Sequence, residues 1–127
     1  KVASTMDLDL DITASVKDLG LADRQMIAIA RAMTREPKLL ILDEPTAALD
    51  ADTEHRLMAR LASWASHRAV FLITHRISTI QKANNILYIN QGRLIENGSH
   101  DELMEIEGGH YRNFVDTEAR LSRRLER

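Results

Sequence analysis

The chain has 127 residues, of which 44% are hydrophobic and 28% are charged, a balance typical of one folded domain with a modest core. Seventeen Lys and Arg residues against nineteen Asp and Glu residues give a net charge of −2, and neither half of the chain is strongly charged, which argues against a basic arm for nucleic acid or an acidic tail. The chain has no cysteine, so disulfides, zinc–thiolate sites and thiol catalysis are excluded, and its apolar runs are far too short to span a membrane.

Within the first eighteen residues, positions 7–12 alternate acidic and apolar side chains, which predicts a short strand or extended segment. Asp7, Asp9 and Asp11 also invite a calcium interpretation, because EF-hand loops place oxygen ligands at every second position. Counted from Asp7, however, the sixth residue is Ile12 where such a loop needs Gly, and the twelfth is Asp18 where it needs Glu. A calcium site is therefore not expected.

The first predicted helix follows Gly20. Its apolar residues recur at i, i+3, i+4 and i+7, and Pro37 forces the helix to end. These apolar positions are Met26, Ile29, Ala30 and Met33.

Two apolar runs with a helix over about 51–66 between them come next. Residues 39–42 predict a strand buried on both faces, and residues 69–73 predict a second buried strand. Helices that alternate with buried strands indicate an α/β fold, in which helices flank a parallel sheet. Ligands of such sheets bind at the carboxyl ends of the strands, where Asp43, Glu44 and His75 are found.

The remaining elements are a short helix through Ile80, a hairpin of 86–89 and 93–96, and two helices. Ser99 and Glu102 form a capping box for a helix over 101–106. The neighbouring Ser99, His100 and Asp101 cannot be a hydrolase triad, because adjacent residues on a turn do not converge on one atom. The amphipathic helix over 111–127 is expected to dock on its own domain, with a membrane-surface or partner helix as the alternative.

Asp43, Glu44 and His75, at the strand ends, are residue types that can bind a metal ion, a water molecule or a phosphate. Two carboxylates at the end of an apolar strand are costly to bury unless a hard cation such as Mg²⁺ or an activated water uses them. Adjacent residues on a strand point to opposite sides, so one of Asp43 and Glu44 could face a metal while the other faces the attacking water. His75 could donate a hydrogen bond to a phosphate oxygen.

These residues belong to a series of motifs that resembles the ATPase domain of ABC transporters. Residues 39–46 resemble its Walker B strand, and residues 48–50 resemble its D-loop. Residues 74–80 resemble its switch loop, and residues 24–32 resemble the helix after the ABC signature. The order and spacing agree from about residue 19 to the C-terminus, and residues 92–103 are most similar to exporters whose membrane and ATPase domains share one polypeptide.

The resemblance implies a partial P-loop NTPase fold that acts on ATP and Mg²⁺, with a role for each matching residue. Asp43 would hold Mg²⁺ through water, Glu44 would polarise the water that attacks the γ-phosphate, and His75 would contact that phosphate. Asp50 would cross a dimer interface and couple the two sites. Residues 19–23 would face ATP that is held by the partner subunit.

The signature departs from the usual Leu-Ser-Gly-Gly-Gln of the family. Gly20 replaces the serine, Leu21 and Ala22 replace the glycines, and Asp23 replaces the glutamine. Gly20 can still be a helix N-cap and Asp23 suits the helix dipole, although a carboxylate opposes a triphosphate. Because some sugar-importer ATPases have a similar signature, both a catalytic and a degenerate half-site remain open.

The Gly-rich phosphate loop G-x-x-x-x-G-K-[ST] is absent, since none of the four lysines follows a glycine. We therefore expect that this chain alone neither binds ATP tightly nor hydrolyses it. Its first residue is Lys1 rather than Met, which predicts a piece of a longer protein whose preceding part carries that loop. Residues 1–36 would be the lead-in and signature helix, and 37–127 would run from Walker B to the end of one ATPase domain.

The leading hypothesis is an ATP-hydrolysing domain of an ABC exporter, at the cytoplasmic face of the inner membrane. Its expected partners are a second nucleotide-binding domain and transmembrane domains, with no nucleic acid. The alternatives are a soluble ABC ATPase of DNA repair or translation, and a non-enzymatic regulatory or dimerising domain. The exporter-like hairpin and the lack of a basic patch disfavour the soluble ATPase.

Overall fold

The fold is taken from a computed structural model that describes residue 13 and residues 15–125. The acidic alternation that starts at Asp7, and with it the calcium question, lies largely outside the described residues. The chain divides into two compact units, and we call the part up to Thr74 unit 1 and the part from His75 onward unit 2.

Unit 1 alternates helices and strands in the predicted order. A 3₁₀ turn comes before the first helix, and a second one extends the helix that was predicted over about 51–66. In chain order the elements are a 3₁₀ turn Val16–Asp18, α1 Leu21–Met33, β1 Leu39–Asp43, α2 Ala51–Trp64, a 3₁₀ turn Ala65–His67 and β2 Ala69–Ile73.

The strands of unit 1 pair in parallel, as the sequence predicts. Their register runs from Leu39 opposite Ala69 to Asp43 opposite Ile73. Helices α1 and α2 supply most of the core that covers β1, and the apolar stripe predicted on α1 is buried along its whole length. The core residues of unit 1 are Met26, Ile29, Ala30, Met33, Leu40, Leu42, Leu49, Leu57 and Leu61.

The prediction that both strands of unit 1 are buried is wrong for one face of β1, and it is wrong for β2, where no residue is fully buried. Leu40 and Leu42 are buried, whereas Ile41 is 61% exposed and its cross-strand partner Phe71 is 51% exposed. Leu39 and Ile73 are exposed on the same strands. Side chains of a strand alternate between the two faces, and the core cluster of unit 1 uses only the face of Leu40 and Leu42.

Unit 2 is built on an antiparallel hairpin. Its two-residue loop, Gln91-Gly92, has φ values of 48° and 73°, the positive pair that matches the twist of hairpin strands. The elements are α3 Ile77–Ile80, β3 Ile86–Asn90, β4 Arg93–Gly98, α4 His100–Glu105 and α5 His110–Leu125.

The core of unit 2 joins the hairpin to α4 and to the first half of α5. Ile86, Leu103, Tyr111 and Val115 are its buried residues. The first half of α5 therefore packs on its own unit, as expected, while Leu121 farther along the helix is 48% exposed. Within the described part of the chain, we find no helix with the length and apolar character needed to cross a membrane.

Candidate functional site

Glu44, at the carboxyl end of β1, has an unusual backbone conformation. Its φ of 44° lies in the left-handed region, where a residue with a side chain costs about 1–2 kcal/mol. The backbone N–H of Glu44 donates to the carbonyl of Ile73 at 2.8 Å. The carbonyl of Glu44 accepts from Gln25 Nε2 at 3.0 Å and from the N–H of Ala47 at 3.2 Å. These hydrogen bonds offset the cost of the left-handed conformation and hold Glu44 in it.

The carboxylate of Glu44 is oriented from β2. Thr74 follows the last residue of that strand, and its hydroxyl donates to Glu44 Oε2 at 3.3 Å. The Glu44 side chain is half-buried, so it is partly withdrawn from solvent but still reachable. A carboxylate in this position is suited to accept a proton from a bound water.

The structure places Asp43 beside this turn, on the predicted edge of the sheet. Asp43 is the last residue of β1, pairs with Ile73 and is exposed. His75 follows Thr74 in the chain, is exposed and is the first residue of unit 2. Asp43, Glu44 and Thr74 thus meet at the carboxyl end of the parallel pair, where ligands of such sheets bind.

Asp50 has a local structural role that the sequence interpretation did not include. It is the N-cap of α2, and its carboxylate accepts from the N–H of Thr53 at 3.0 Å and from the Thr53 hydroxyl at 2.8 Å. These hydrogen bonds from Thr53 hold the pKa of the Asp50 carboxyl below its ordinary value. The residue is exposed and therefore also accessible.

The signature segment forms the start of α1. Gly20 is the N-cap, as predicted, and its carbonyl accepts the N–H of Arg24 at 3.1 Å. Leu21 is 70% exposed, whereas Ala22 packs against the core of unit 1 and Asp23 lies in the first turn.

Arg24 fixes the chain that leads into this helix. Its guanidinium donates to the carbonyl of Leu19 at 2.8 Å and to that of Lys17 at 3.1 Å. A Cβ atom built at Gly20 would meet Asp23 Oδ2 at an ordinary contact distance of 3.6 Å. The backbone at Gly20 could therefore carry the serine that is usual in the family.

Sequence reasoning missed Gln25 and Thr74 as site residues. Gln25 lies three residues after Ala22 and four before Ile29, so it shares the inward stripe of α1 with apolar residues. A polar residue in that stripe is the signal that could have identified it, because buried polar groups need partners. The partner, Glu44, is nineteen residues away in the chain and could not be inferred from spacing.

The carboxyl end of β1 offers one exposed carboxylate as a candidate metal ligand, Asp43. Among residue 13 and residues 15–125, no three His, Cys, Asp or Glu side chains gather into a group that could hold a metal ion by themselves. Mg²⁺ is commonly bound by one or two carboxylates together with substrate phosphates and water.

Comparisons with known proteins agree with the motifs and the fold. A family profile described as ABC transporter matches residues 1–47. The heavy metal tolerance protein of Schizosaccharomyces pombe is 44% identical over 94 residues, which cover 74% of this chain and 11% of that protein. The structure of a bacterial Atm1-family ABC exporter with ATP bound superposes with a TM-score of 0.83 at 33% identity, over 93% of this chain and 22% of that one. The chain belongs to the ATP-binding domains of ABC transporters.

Within this family the chain is close to the exporter type. The ABC transporter ATP-binding protein YknU of Bacillus subtilis, described as uncharacterized, is 40% identical over 112 residues, or 87% of this chain and 19% of that protein. The ABC multidrug transporter MDR2 of Trichophyton rubrum is 48% identical over 93 residues, or 73% of this chain. The chain spans 7% of that transporter's length. The family and the α/β fold predicted from the sequence are confirmed, and the roles of the single residues remain predictions.

Proposed function

We propose that this chain contributes the water-activating part of an ATP-binding domain in an ABC exporter, which couples ATP hydrolysis to transport across a membrane. The observation that supports it most is the turn at Glu44. Hydrogen bonds from α1 and to β2 hold its backbone in a strained conformation, and its carboxylate lies at the edge of the sheet. Such strain persists only where surrounding contacts enforce it, and it is concentrated at functional sites.

In this proposal Glu44 accepts a hydrogen bond from the attacking water and thereby orients and polarises it toward the γ-phosphate of ATP. The hydroxyl of Thr74 restrains the carboxylate from the side of β2. His75 donates a hydrogen bond to the phosphate. Phosphoryl transfer relies mainly on positioning and charge stabilisation, so a restrained carboxylate is the contribution that this edge of the sheet can make.

Asp43 is the residue that would hold Mg²⁺. Its exposed carboxylate supplies the hard oxygen that this ion prefers, and the ATP phosphates and water would complete the shell. When bound, the ion neutralises charge on the phosphates.

The start of α1 and Asp50 are proposed to face a second ATP-binding domain. Gly20, Leu21, Ala22 and Asp23 would approach ATP held by that partner, and the exposure of Leu21 supports this placement. Transmembrane domains of the same exporter are the other proposed partner, which places the domain at the cytoplasmic face of the membrane.

The site is proposed to be incomplete within these 127 residues. The sequence lacks the phosphate loop, and Ile41 and Phe71 expose an apolar sheet face that a folded ATPase domain would cover. We therefore expect the isolated chain to neither bind ATP tightly nor hydrolyse it.

The test is Mg-ATP hydrolysis by the intact transporter that contains this chain, with Glu44→Gln as the variant. Glutamine keeps the shape of the side chain but removes the base, so we expect turnover to fall by about 10² or more while ATP binding is retained. The isolated chain, measured alongside, should show no turnover. Unchanged turnover in Glu44→Gln would refute the role of Glu44, and turnover by the isolated chain would refute its proposed incompleteness.

A further inference from the structure

We propose that Gln25 is a positioning residue for Glu44, which it holds through the main-chain carbonyl rather than through the carboxylate. The observation is the 3.0 Å hydrogen bond from Gln25 Nε2 to the carbonyl oxygen of Glu44. The proposal rests on the function proposed above, because it assumes that Glu44 orients the attacking water.

The bond acts where the backbone most needs support. A left-handed Glu44 returns to an ordinary conformation if its peptide groups lose their partners, and rotation of the peptide plane would redirect the carboxylate. The N–H of Glu44 is fastened to Ile73, so β2 fixes one side of the residue. The carbonyl of Glu44 accepts one hydrogen bond from within the turn, from the N–H of Ala47. The amide of Gln25 adds a second hydrogen bond to the same carbonyl, from α1.

Gln25 is itself placed by a rigid element. It lies in the second turn of α1, is half-buried, and is followed by Met26, which is buried in the core of unit 1. Because Gln25 lies on a helix that packs against the core, its amide can restrain the position of the Glu44 carbonyl. Misplacement of a catalytic group by about 1 Å can cost on the order of 10² in rate.

The same helix begins at the signature segment. Gly20 caps α1 five residues before Gln25, and Arg24 anchors the preceding chain. Helix α1 therefore joins the segment proposed to face the partner's ATP to the turn that carries Glu44. Gln25 is a side chain on α1 through which a shift of that helix would reach Glu44.

The experiment measures kcat, KM for Mg-ATP and melting temperature in the intact transporter. Gln25→Met removes the N–H donor at nearly constant length, whereas Gln25→Lys keeps an N–H donor of similar reach. Gln81→Met makes the same substitution at an exposed glutamine at the end of α3, in unit 2, and serves as the matched control.

We expect Gln25→Met to lower kcat about tenfold or more with KM and melting temperature unchanged, because the lost hydrogen bond misplaces Glu44 without touching ATP. Gln25→Lys should recover most of the rate, and Gln81→Met should match the parent. A Gln25→Met rate equal to the parent's would overturn the proposal, as would equal losses in the Met and Lys variants. An effect on KM alone, or a melting temperature lowered by about 10 °C, would assign Gln25 to binding or to stability instead.

Glu44→Gln, measured in the same series, separates this inference from the proposed function. If Glu44→Gln loses turnover and Gln25→Met does not, the inference fails and the proposed function stands. If Glu44→Gln keeps its turnover, the proposed function itself fails.

Discussion

Glu44 of unit 1 and Glu96 of unit 2 are carboxylates that the fold holds in different ways. In unit 1, Asp43 and Glu44 stand at the carboxyl end of a parallel strand pair, where a substrate can reach them. In unit 2, Glu96 on β4 accepts the backbone N–H groups of His110 at 2.6 Å and of Tyr111 at 2.9 Å, and so caps the start of α5. Glu96 thus uses both carboxylate oxygens to bind helix amides, as Asp50 of unit 1 does with one oxygen, whereas Glu44 is held largely through its backbone N–H and carbonyl.

Glu102, a second carboxylate of unit 2, also stabilises the start of a helix. Glu102 accepts the N–H and the hydroxyl of Ser99, each at 2.8 Å, and completes the capping box that the sequence predicts. Tyr111, next to the cap of α5, is 1% exposed and its hydroxyl lies 2.8 Å from His100 Nδ1. Polar groups in unit 2 thus bind one another and the ends of helices.

The largest stability effect expected from this comparison is at Glu96. Glu96→Ala would leave the N–H groups of His110 and Tyr111 without their acceptor, at a cost of about 2 kcal/mol. Urea unfolding of the intact protein measures the free energy of unfolding, and hydrogen exchange of the α5 amides measures the local effect. Glu105→Ala, at an exposed position of α4, is the control and should change stability by less than about 0.5 kcal/mol. Equal stability of Glu96→Ala and the control would show that the cap of α5 does not contribute.

Glu44→Gly is expected to abolish ATP hydrolysis with little effect on stability. Glycine adopts a φ of 44° without steric cost, so the free energy of unfolding should stay within about 1 kcal/mol of the parent's, although turnover is lost. Urea unfolding and ATP hydrolysis on the same preparation measure both. A destabilisation as large as that of Glu96→Ala would contradict the proposed difference between Glu44 and Glu96.

The smallest expected effect is on pH dependence and compares one cap from each unit. Hydrogen bonds from Thr53 lower the pKa of Asp50, and hydrogen bonds from Ser99 lower the pKa of Glu102. A carboxyl with a lowered pKa in the folded state adds stability at neutral pH that is lost as the pH falls below about 4. Asp50→Asn and Glu102→Gln should each flatten the loss of stability between pH 7 and pH 3. A slope equal to the parent's in either variant would contradict that cap's contribution.

Local patterns in the sequence predict much of this fold. The stripe from Met26 to Met33, the Gln91-Gly92 hairpin and the Ser99 capping box depend on neighbours within a few residues, and all are confirmed. Burial of β1 and β2 is overestimated from the sequence, because an apolar run does not reveal whether both faces of a strand are covered.

The candidate site is predicted less completely, since its contacts join distant parts of the chain. The sequence identifies Asp43 and Glu44 and their edge of the sheet. It does not reveal the bond from Gln25 to Glu44, nor the bond from Glu96 to α5 fourteen residues away. Such pairs depend on how helices and strands pack, which periodicity alone does not specify.

The central claim is that Glu44 acts in the chemical step of ATP hydrolysis. The most direct measurement is the identity of the nucleotide retained by the intact Glu44→Gln transporter after incubation with Mg-ATP, read by chromatography of the extracted nucleotide. If Glu44 positions the attacking water, the variant retains ATP while the parent yields ADP. Retention of ADP by the variant would show that hydrolysis proceeds without Glu44 and would contradict the claim.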